Sequence, residues 1–485
     1  MFDVGGGTLR QMDTERVGGS FRDPAGFVYR SGGRIHRRIN VQGGHDYDRL
    51  MESGLYKDLV HRGWLVPHRE VDPDDGAHRT LVPEQIPYIA YPYEWSFGQL
   101  KDAAALTLEI QQTSLSYGMS LKDASAYNVQ FVGSRPVFID TLSFEVYQDG
   151  APWVAYRQFC QHFLAPLSLM ARVDVRLRRL LCGCIDGVPL DLASAMLPAR
   201  SWLSAATLLH LHLHARGQRQ HGDDGRQRTP VRLPTLPKAR LIALLDSLKR
   251  AVQSCAMRPG RTEWSHYYDE TSYGASAMAA KESLVAEMID ASGVPGGIIH
   301  DLGANTGRFS QLVALPGRYV VAHDVDELAV ERHYQDAKAK HLDRVVPLVL
   351  DLTQPSPALG WGLEERGSAI DRLSGGTVLA LALVHHLAIS NNVPLPELAR
   401  FLGRIAQALV VEFVPKDDSQ VRRLLATRKD IFPDYTAAHF EGAMALHFEI
   451  QRAERVPDTL RTLYLMRRRQ AGRQEATAGT GVTVR

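Results

Sequence analysis

The sequence predicts an α/β protein whose C-terminal part is a doubly wound, parallel sheet with helices on both faces, preceded by an α+β part. Two patterns predict the sheet. Apolar strand-like runs alternate with amphipathic helical runs between residues 275 and 414, and a glycine-punctuated turn at 301–307 joins the first of those strands to a helix. A third observation separates the two parts: residues 217–238 are polar, glycine-bearing and proline-bearing, the composition of a linker. At 485 residues the chain is also long for one hydrophobic core.

The elements follow in order. Up to about residue 150 short strand-like runs mix with turns, and the alternation on either side of Ser31-Gly32-Gly33 predicts a β-hairpin within 26–39. Leu100, Ala104, Leu106, Leu108, Ile110 and Leu115 give residues 96–117 an amphipathic helix, and 153–215 read as mostly helical. Beyond the linker come helices at 239–254 and 275–291, strand 297–301, helix 306–314, strand 318–324, helix 326–337, strands 345–350 and 377–383, helix 395–406 and strand 408–414. No internal repeat is visible. The expected division is 1–216, a linker at 217–238, a second domain at 239–470 and a small, polar, disordered tail at 471–485.

Composition removes several functions. Apolar residues are 45% and charged residues 23%, the balance of a globular protein, and a net charge of +2 argues against nucleic acid as a partner. The basic clusters from Arg216 to Arg240 and at Arg467-Arg468-Arg469 fall in the linker and near the tail, and read as solvated stretches. Four cysteines are too few for a disulfide framework and suggest a reducing, cytoplasmic location. Cys182-Gly-Cys184 lacks a second pair at zinc spacing, and His210, His212 and His214 read as helix-end or surface histidines, so no metal is expected. The N-terminus carries no signal-peptide pattern, and the longest apolar run, Val378 to Ile389, is broken by His385 and His386. It is shorter than the roughly 18 residues of a membrane span.

The chemistry concentrates in the turn. Gly297-Ile-Ile-His-Asp301-Leu-Gly303-Ala-Asn305-Thr-Gly307-Arg-Phe-Ser310 reads as a buried strand, a glycine turn and a helix. Gly303 and Gly307 remove Cβ atoms that would keep a ligand from the backbone, and Asp301 ends the strand with a carboxylate suited to a cationic amino-acid moiety. The next strand, Arg318-Tyr-Val-Val-Ala-His-Asp324, ends in an acid about 20 residues on, where a carboxylate meets ribose hydroxyls. The third, Val345-Val-Pro-Leu-Val-Leu-Asp351, ends in another.

This spacing, Asp-x-Gly-x-Asn-x-Gly, resembles motif I of class I S-adenosylmethionine (SAM) dependent methyltransferases, and residues 262–469 look like that family throughout. The resemblance implies a Rossmann-like sheet and SAM as cofactor, held by Asp301, Gly303, Asn305, Gly307, Asp324, Asp351 and Leu352. In that reading Asp351 bonds the adenine amino group and Leu352 packs on the ring. Asn305 stands where the family usually has glycine, and asparagine tolerates the left-handed backbone such a turn needs. The fifth strand, Leu409-Val-Val-Glu412-Phe-Val-Pro415-Lys-Asp-Asp418, is similar to a bacterial, nodulation-protein-like group of methyltransferases.

The fourth strand, Thr377 to Leu387, lacks the Asn-Pro-Pro-Tyr signature of exocyclic-amine and amide methylation. His385 and His386 follow it, where the family brings substrate and methyl group together; each is a candidate catalytic base, or else a packed or pocket-lining imidazole. Trp264, Tyr268 and Tyr273, with Lys281 behind them, read either as a lid over substrate and cofactor or as an anchor of the helix to the sheet.

The N-terminal half has its own signature. Leu121-Lys-Asp123-Ala-Ser-Ala-Tyr-Asn128, followed by Arg135-Pro-Val-Phe-Ile-Asp140, resembles the catalytic loop and metal segment of kinase-like phosphotransferases, with Tyr91-Pro-Tyr-Glu-Trp-Ser like the hinge into their large lobe. The resemblance implies that Asp123 faces an acceptor hydroxyl while Asn128 and Asp140 hold metal. A glycine-rich phosphate loop and a Val-Ala-Ile-Lys strand are both missing, and Arg37 or Arg38 stands where the lysine belongs, so a kinase-like fold that does not transfer phosphate is expected.

The resulting expectation is a SAM-dependent methyltransferase acting on an O or N acceptor. The acceptor is expected to be a small molecule, with protein acceptors open and no membrane partner. The competing readings are a phosphotransferase with a passenger methyltransferase domain and a SAM-binding scaffold without catalysis.

Overall fold

The computed structural model describes residues 15–74, 76–216, 235–258, 260, 274–293, 297–426 and 429–469. Most of the expected linker, the expected tail, and Trp264, Tyr268 and Tyr273 lie outside these residues. Packing divides the chain into two compact units, residues 1–270 with 304–372, and residues 271–303 with 373–485.

The first unit opens with five strands, Glu15–Arg16 (β1), Gly26–Ser31 (β2), Arg34–Ile39 (β3), His68–Val71 (β4) and Arg79–Pro83 (β5), in an antiparallel sheet of order β1-β2-β3-β5-β4. The expected hairpin is β2–β3. Gly32 and Gly33 both take positive φ (56° and 75°), the left-handed pair whose twist matches two paired strands. Helices Val41–Glu52 and Leu55–His61 lie between β3 and β4 in sequence, and Tyr47 of the first packs with Ile39, Leu81 and Leu142 in one buried cluster.

Helix Phe97–Ser116 starts at a capping box: Ser96 Oγ accepts the N–H of Gln99, and Gln99 Oε1 accepts the N–H of Ser96 at 2.9 Å. Short strands Met119–Leu121 (β6), Val129–Val132 (β7), Arg135–Phe138 (β8) and Phe144–Val146 (β9) then pair antiparallel, β6 with β9 and β7 with β8. The helical region beyond them contains the π turns Cys160–Leu164 and Leu208–Leu213. His210 and His212, expected as helix-end or surface histidines, lie in the second π turn and are buried rather than on the surface. Hydroxyls satisfy them: His210 meets Tyr156 and Ser247 at 2.8 and 2.9 Å, and His212 meets Ser194 and Ser201 at 2.7 and 2.8 Å.

Farther on, Ile298–Leu302 (β10) belongs to the second unit, whereas Tyr319–Asp324 (β11) and Val345–Val349 (β12) belong to the first. Helix Glu327–Ala339 connects β11 to a parallel β12, the crossover that parallel pairing requires. Residues 304–372, which contain this βαβ segment, are fastened to the N-terminal residues by buried ion pairs. Arg178 Nε meets Glu327 at 2.8 Å, and the Arg372 guanidinium forks onto Glu94, one arm at 2.8 Å. Tyr334 donates to Asp102 at 2.6 Å, and Glu331 accepts the N–H of Gly98 at 2.7 Å.

In the second unit β10 is followed by Gly376–Ala380 (β13), Ala406–Phe413 (β14), Phe448–Arg455 (β15) and Thr462–Arg468 (β16). They pair in the order β10-β13-β14-β16-β15, the first three parallel and the last two antiparallel, a mixed sheet. β13 is buried along its whole length, as parallel strands covered on both faces are. Helix Leu395–Ile405 buries Leu395, Leu398, Ala399, Leu402 and Ile405, one face at helical spacing. β13 ends at Ala380, earlier than the expected 383, because Ala382 turns to φ 48° and donates its N–H to Glu412 at 2.8 Å. Arg467 and Arg468, expected in a solvated stretch near the tail, are the last residues of β16 and pair with β14 and β15. Among the described residues no helix is long and apolar enough to cross a membrane.

Candidate functional site

The glycine turn has the backbone its residues suggested. Gly303, Asn305 and Gly307 take φ of 77°, 50° and 81°, so asparagine adopts the left-handed conformation otherwise left to glycine. A Cβ on Gly307 would come within 2.0 Å of the His333 ring, and one on Gly303 would touch Leu383 at 3.4 Å. Within the first unit, Ala304 donates its N–H to the carbonyl of His323 at 2.9 Å, and Asn305 donates its own to Asp324 Oδ2 at 2.7 Å. Asp324 Oδ1 accepts the N–H of Asp326 at 2.8 Å. The end of β11 therefore grips the turn by one backbone bond and one bond to the Asp324 side chain.

Asp324 is 9% exposed. Burial pushes its carboxyl up to about 6, against the backbone N–H bonds from Asp326 and Asn305 that favour the ionised form. Asp351, just past β12, is half-buried, and burial alone would raise it. Hydrogen bonds from Thr353, at 2.6 and 3.0 Å, and from Arg179 at 3.2 Å outweigh burial and hold it below the usual carboxylate range. Leu352 beside it is half-buried.

In the second unit a buried charge network lies at the carboxyl ends of the parallel strands. Lys281 Nζ meets Glu412 Oε2 at 2.6 Å, and both side chains are almost wholly buried. Glu412 also takes the Ala382 N–H, while Arg461 Nε reaches Asp418 at 2.7 Å and its Nη1 lies 3.9 Å from Glu412 Oε1. Burial lowers the Lys281 ammonium, opposed by Glu412 and by the charge of Asp301, itself buried near the end of β10. Lys281 thus ties helix Ala275–Ala291 to β14.

His385 and His386 stand beside this network with ring centroids 4.1 Å apart. His385 is fully buried, and neither ring nitrogen has a hydrogen-bond partner among the described residues. Burial, reinforced by His386, Arg461 and Lys281, holds it well below the ordinary histidine range; burial and Arg461 bring His386 to about 4. Both imidazoles are neutral at physiological pH. Glu412, Asp418 and Arg461 carried no assigned role in the sequence reading. The available signal was a single acid inside the apolar run of β14, which needs a cation if buried.

The kinase-like residues meet within the first unit. Asp140 is ion-paired with Arg37 of β3, accepts the N–H of Leu142 at 3.1 Å and takes the Ser143 hydroxyl at 2.5 Å. Asn128 Nδ2 donates to that same hydroxyl at 3.1 Å. Burial and the charge of Asp140 raise the Asp123 carboxyl, and hydrogen bonds from Ser125, Asn128 and Gln158 oppose the rise. With Arg37 on Asp140 and Asn128 on Ser143, the donor set does not fit a divalent cation. Among the described residues there is no group of three or more histidines, cysteines or acids placed to hold a metal.

No family model matches the chain. Solved structures align with parts of it. The N-methyltransferase NodS from Bradyrhizobium japonicum WM9, in complex with S-adenosyl-l-homocysteine, aligns at 11% identity and a TM-score of 0.31 over 43% of this chain and 94% of its own. Magnesium protoporphyrin IX methyltransferase (ChlM) from Synechocystis PCC 6803 with bound SAH aligns at 18% identity and a TM-score of 0.30 over 42% and 93%. The bifunctional kinase-methyltransferase WbdD aligns at 16% identity and a TM-score of 0.28 over 42% of each chain. TM-scores of this size give these likenesses no weight for the fold or the site. Sequence identity is decisive: nodulation protein NoeA of Rhizobium meliloti (strain 1021) is 36% identical over 462 residues, spanning 93% of this chain and 96% of that protein. The chain belongs to the family of nodulation protein NoeA.

Proposed function

We propose that this protein is a SAM-dependent methyltransferase with a class I, Rossmann-like domain at residues 239–470, acting on an O or N acceptor of small-molecule size. The observation that carries the reading is the left-handed turn at Asn305 bonded to the buried carboxylate of Asp324. A carboxylate so placed suits neutral hydroxyl donors such as those of a ribose, and Gly303 and Gly307 keep Cβ atoms out of the turn. Asp301 is assigned to the cofactor's amino-acid end, and Asp351 with Leu352 to its adenine. SAM supplies an already activated methyl group, so the protein's task is to align acceptor and donor. Neutral His386, less buried than His385, is assigned to take the acceptor's proton.

The N-terminal residues 1–216 are read as a kinase-like domain that positions the acceptor and transfers no phosphate, because Arg37 neutralises Asp140. The four cysteines are free, which suits a reducing compartment such as the cytoplasm. The test is incubation of purified protein with methyl-labelled SAM and extract, followed by mass spectrometry of labelled species. Label in a small molecule supports the reading, and no labelled product overturns it.

A further inference from the structure

The second unit carries a concave cleft of about 870 Å³, built from the end of helix Leu395–Ile405, the start of β14 and the end of β16. Five arginines line it, Arg400, Arg404, Arg467, Arg468 and Arg469, with His447 and no carboxylate. It lies at the amino end of β14, whereas Glu412 of the buried network lies near the carboxyl end. Gln407 and Glu412 are five positions apart along the strand, about 16 Å. The cleft is therefore distinct from the proposed cofactor site and does not depend on that reading.

Two of the arginines, Arg467 and Arg469, are held in place by backbone carbonyls rather than carboxylates. Arg467 Nη1 donates to the carbonyl of Ser292 at 3.0 Å, and Arg469 Nε to the carbonyls of Ala445 and Phe448 at 2.8 and 3.1 Å. Carbonyl acceptors orient a guanidinium and leave its charge intact. Arg400 shares the carboxylate of Glu397, and Arg404 and Arg468 have no hydrogen bond or ion pair among the described residues. Like charges gathered this way repel one another, and an anion relieves that repulsion. Guanidinium forks match phosphate oxygens in pairs. The volume falls in the range of small-molecule sites, about 300–1,000 Å³, and the concave shape suits a compact anion better than a bilayer surface. Leu446, 70% exposed on the cleft wall, offers apolar surface to the remainder of such a ligand.

We propose that this cleft is a second binding site, for a soluble small molecule carrying two adjacent phosphate groups. The probe is inorganic pyrophosphate, titrated calorimetrically into the full chain at constant ionic strength and, in parallel, added in a thermal-unfolding assay against matched sodium chloride. Saturable binding is expected, with a rise in Tm beyond the salt control and a loss of affinity of about tenfold or more in the double variant Arg404→Gln/Arg468→Gln. Absence of binding in the wild-type chain overturns the proposal, as does equal affinity in the double variant. Binding of single-stranded RNA or of anionic phospholipid vesicles without pyrophosphate binding also overturns it. Should the double variant not fold, the wild-type Tm with pyrophosphate against salt decides alone.

Discussion

The backbone N–H of Asn305 donates to the side chain of Asp324 at 2.7 Å, across a turn in which Asn305 itself is left-handed. That bond holds the turn to the end of β11 and favours the ionised form of the carboxyl assigned to the cofactor, against the burial that raises it. Asp324→Ala removes the acceptor of the Asn305 and Asp326 N–H groups seen in this structure, each such loss worth about 1–3 kcal/mol. A lower Tm and a large loss of SAM affinity are expected from calorimetry, and an unchanged affinity would remove Asp324 from the site.

The same carboxyl gives a pH signature. Its folded-state value, about 6 against an ordinary 3.8, is raised, so its contribution to stability is fully present below about pH 4 and is lost as pH rises through about 6. Ligand binding runs the other way, because hydroxyl donors need the ionised form. SAM affinity is expected to fall by up to about tenfold per pH unit below 6. Titrations from pH 5 to 8 that show no such fall would refute the assignment.

Lys281 and Glu412 form a buried pair whose members cannot be removed singly without cost. Lys281→Met takes from Glu412 the ammonium at 2.6 Å, and Glu412→Gln takes from Lys281 that carboxylate; each is expected to destabilise by about 3–5 kcal/mol in urea unfolding. The double variant Lys281→Met/Glu412→Gln is expected to recover part of the loss. Additive losses would show that the two side chains do not act as a pair.

His386→Ala is expected to lower turnover by about 10²–10⁴ with SAM affinity retained. Because burial and Arg461 hold His386 near 4, its loss of a proton leaves no inflection in activity between pH 6 and 7. Wild-type turnover in the alanine variant would end the base assignment.

Arg37 occupies Asp140, and this predicts the behaviour of the N-terminal residues. Mg-ATP is expected to be neither bound tightly nor hydrolysed, and Asp123→Ala is expected to raise the acceptor KM with little change in kcat. ATP turnover that disappears in Asp123→Ala would instead establish a phosphotransferase.

Much of this architecture was legible in the sequence, for local reasons. Helix Ala275–Ala291 and the strands ending at Asp324 and near Asp351 follow from apolar period and from acids at strand ends, signals confined to a few residues. The left-handed state of Asn305 followed from its side-chain chemistry. What stayed hidden depends on distant partners. Arg178 meets Glu327 and Arg372 meets Glu94 across 149 and 278 residues, with no periodicity to announce either pair. Strand β16 was missed because its basic end looked like solvated chain. Arg461 was missed because a lone arginine three residues after Asp458, in a turn-like stretch, looks exposed, yet here it is 1% exposed and bound to Asp418.

The most direct measurement is a calorimetric titration of the full chain with S-adenosylhomocysteine, the product that occupies the same pocket without turnover. One molecule bound per chain, with affinity lost in Asp301→Ala and in Asp324→Ala, is the predicted result. No heat of binding, or equal affinity in both variants, would contradict a SAM site at this turn.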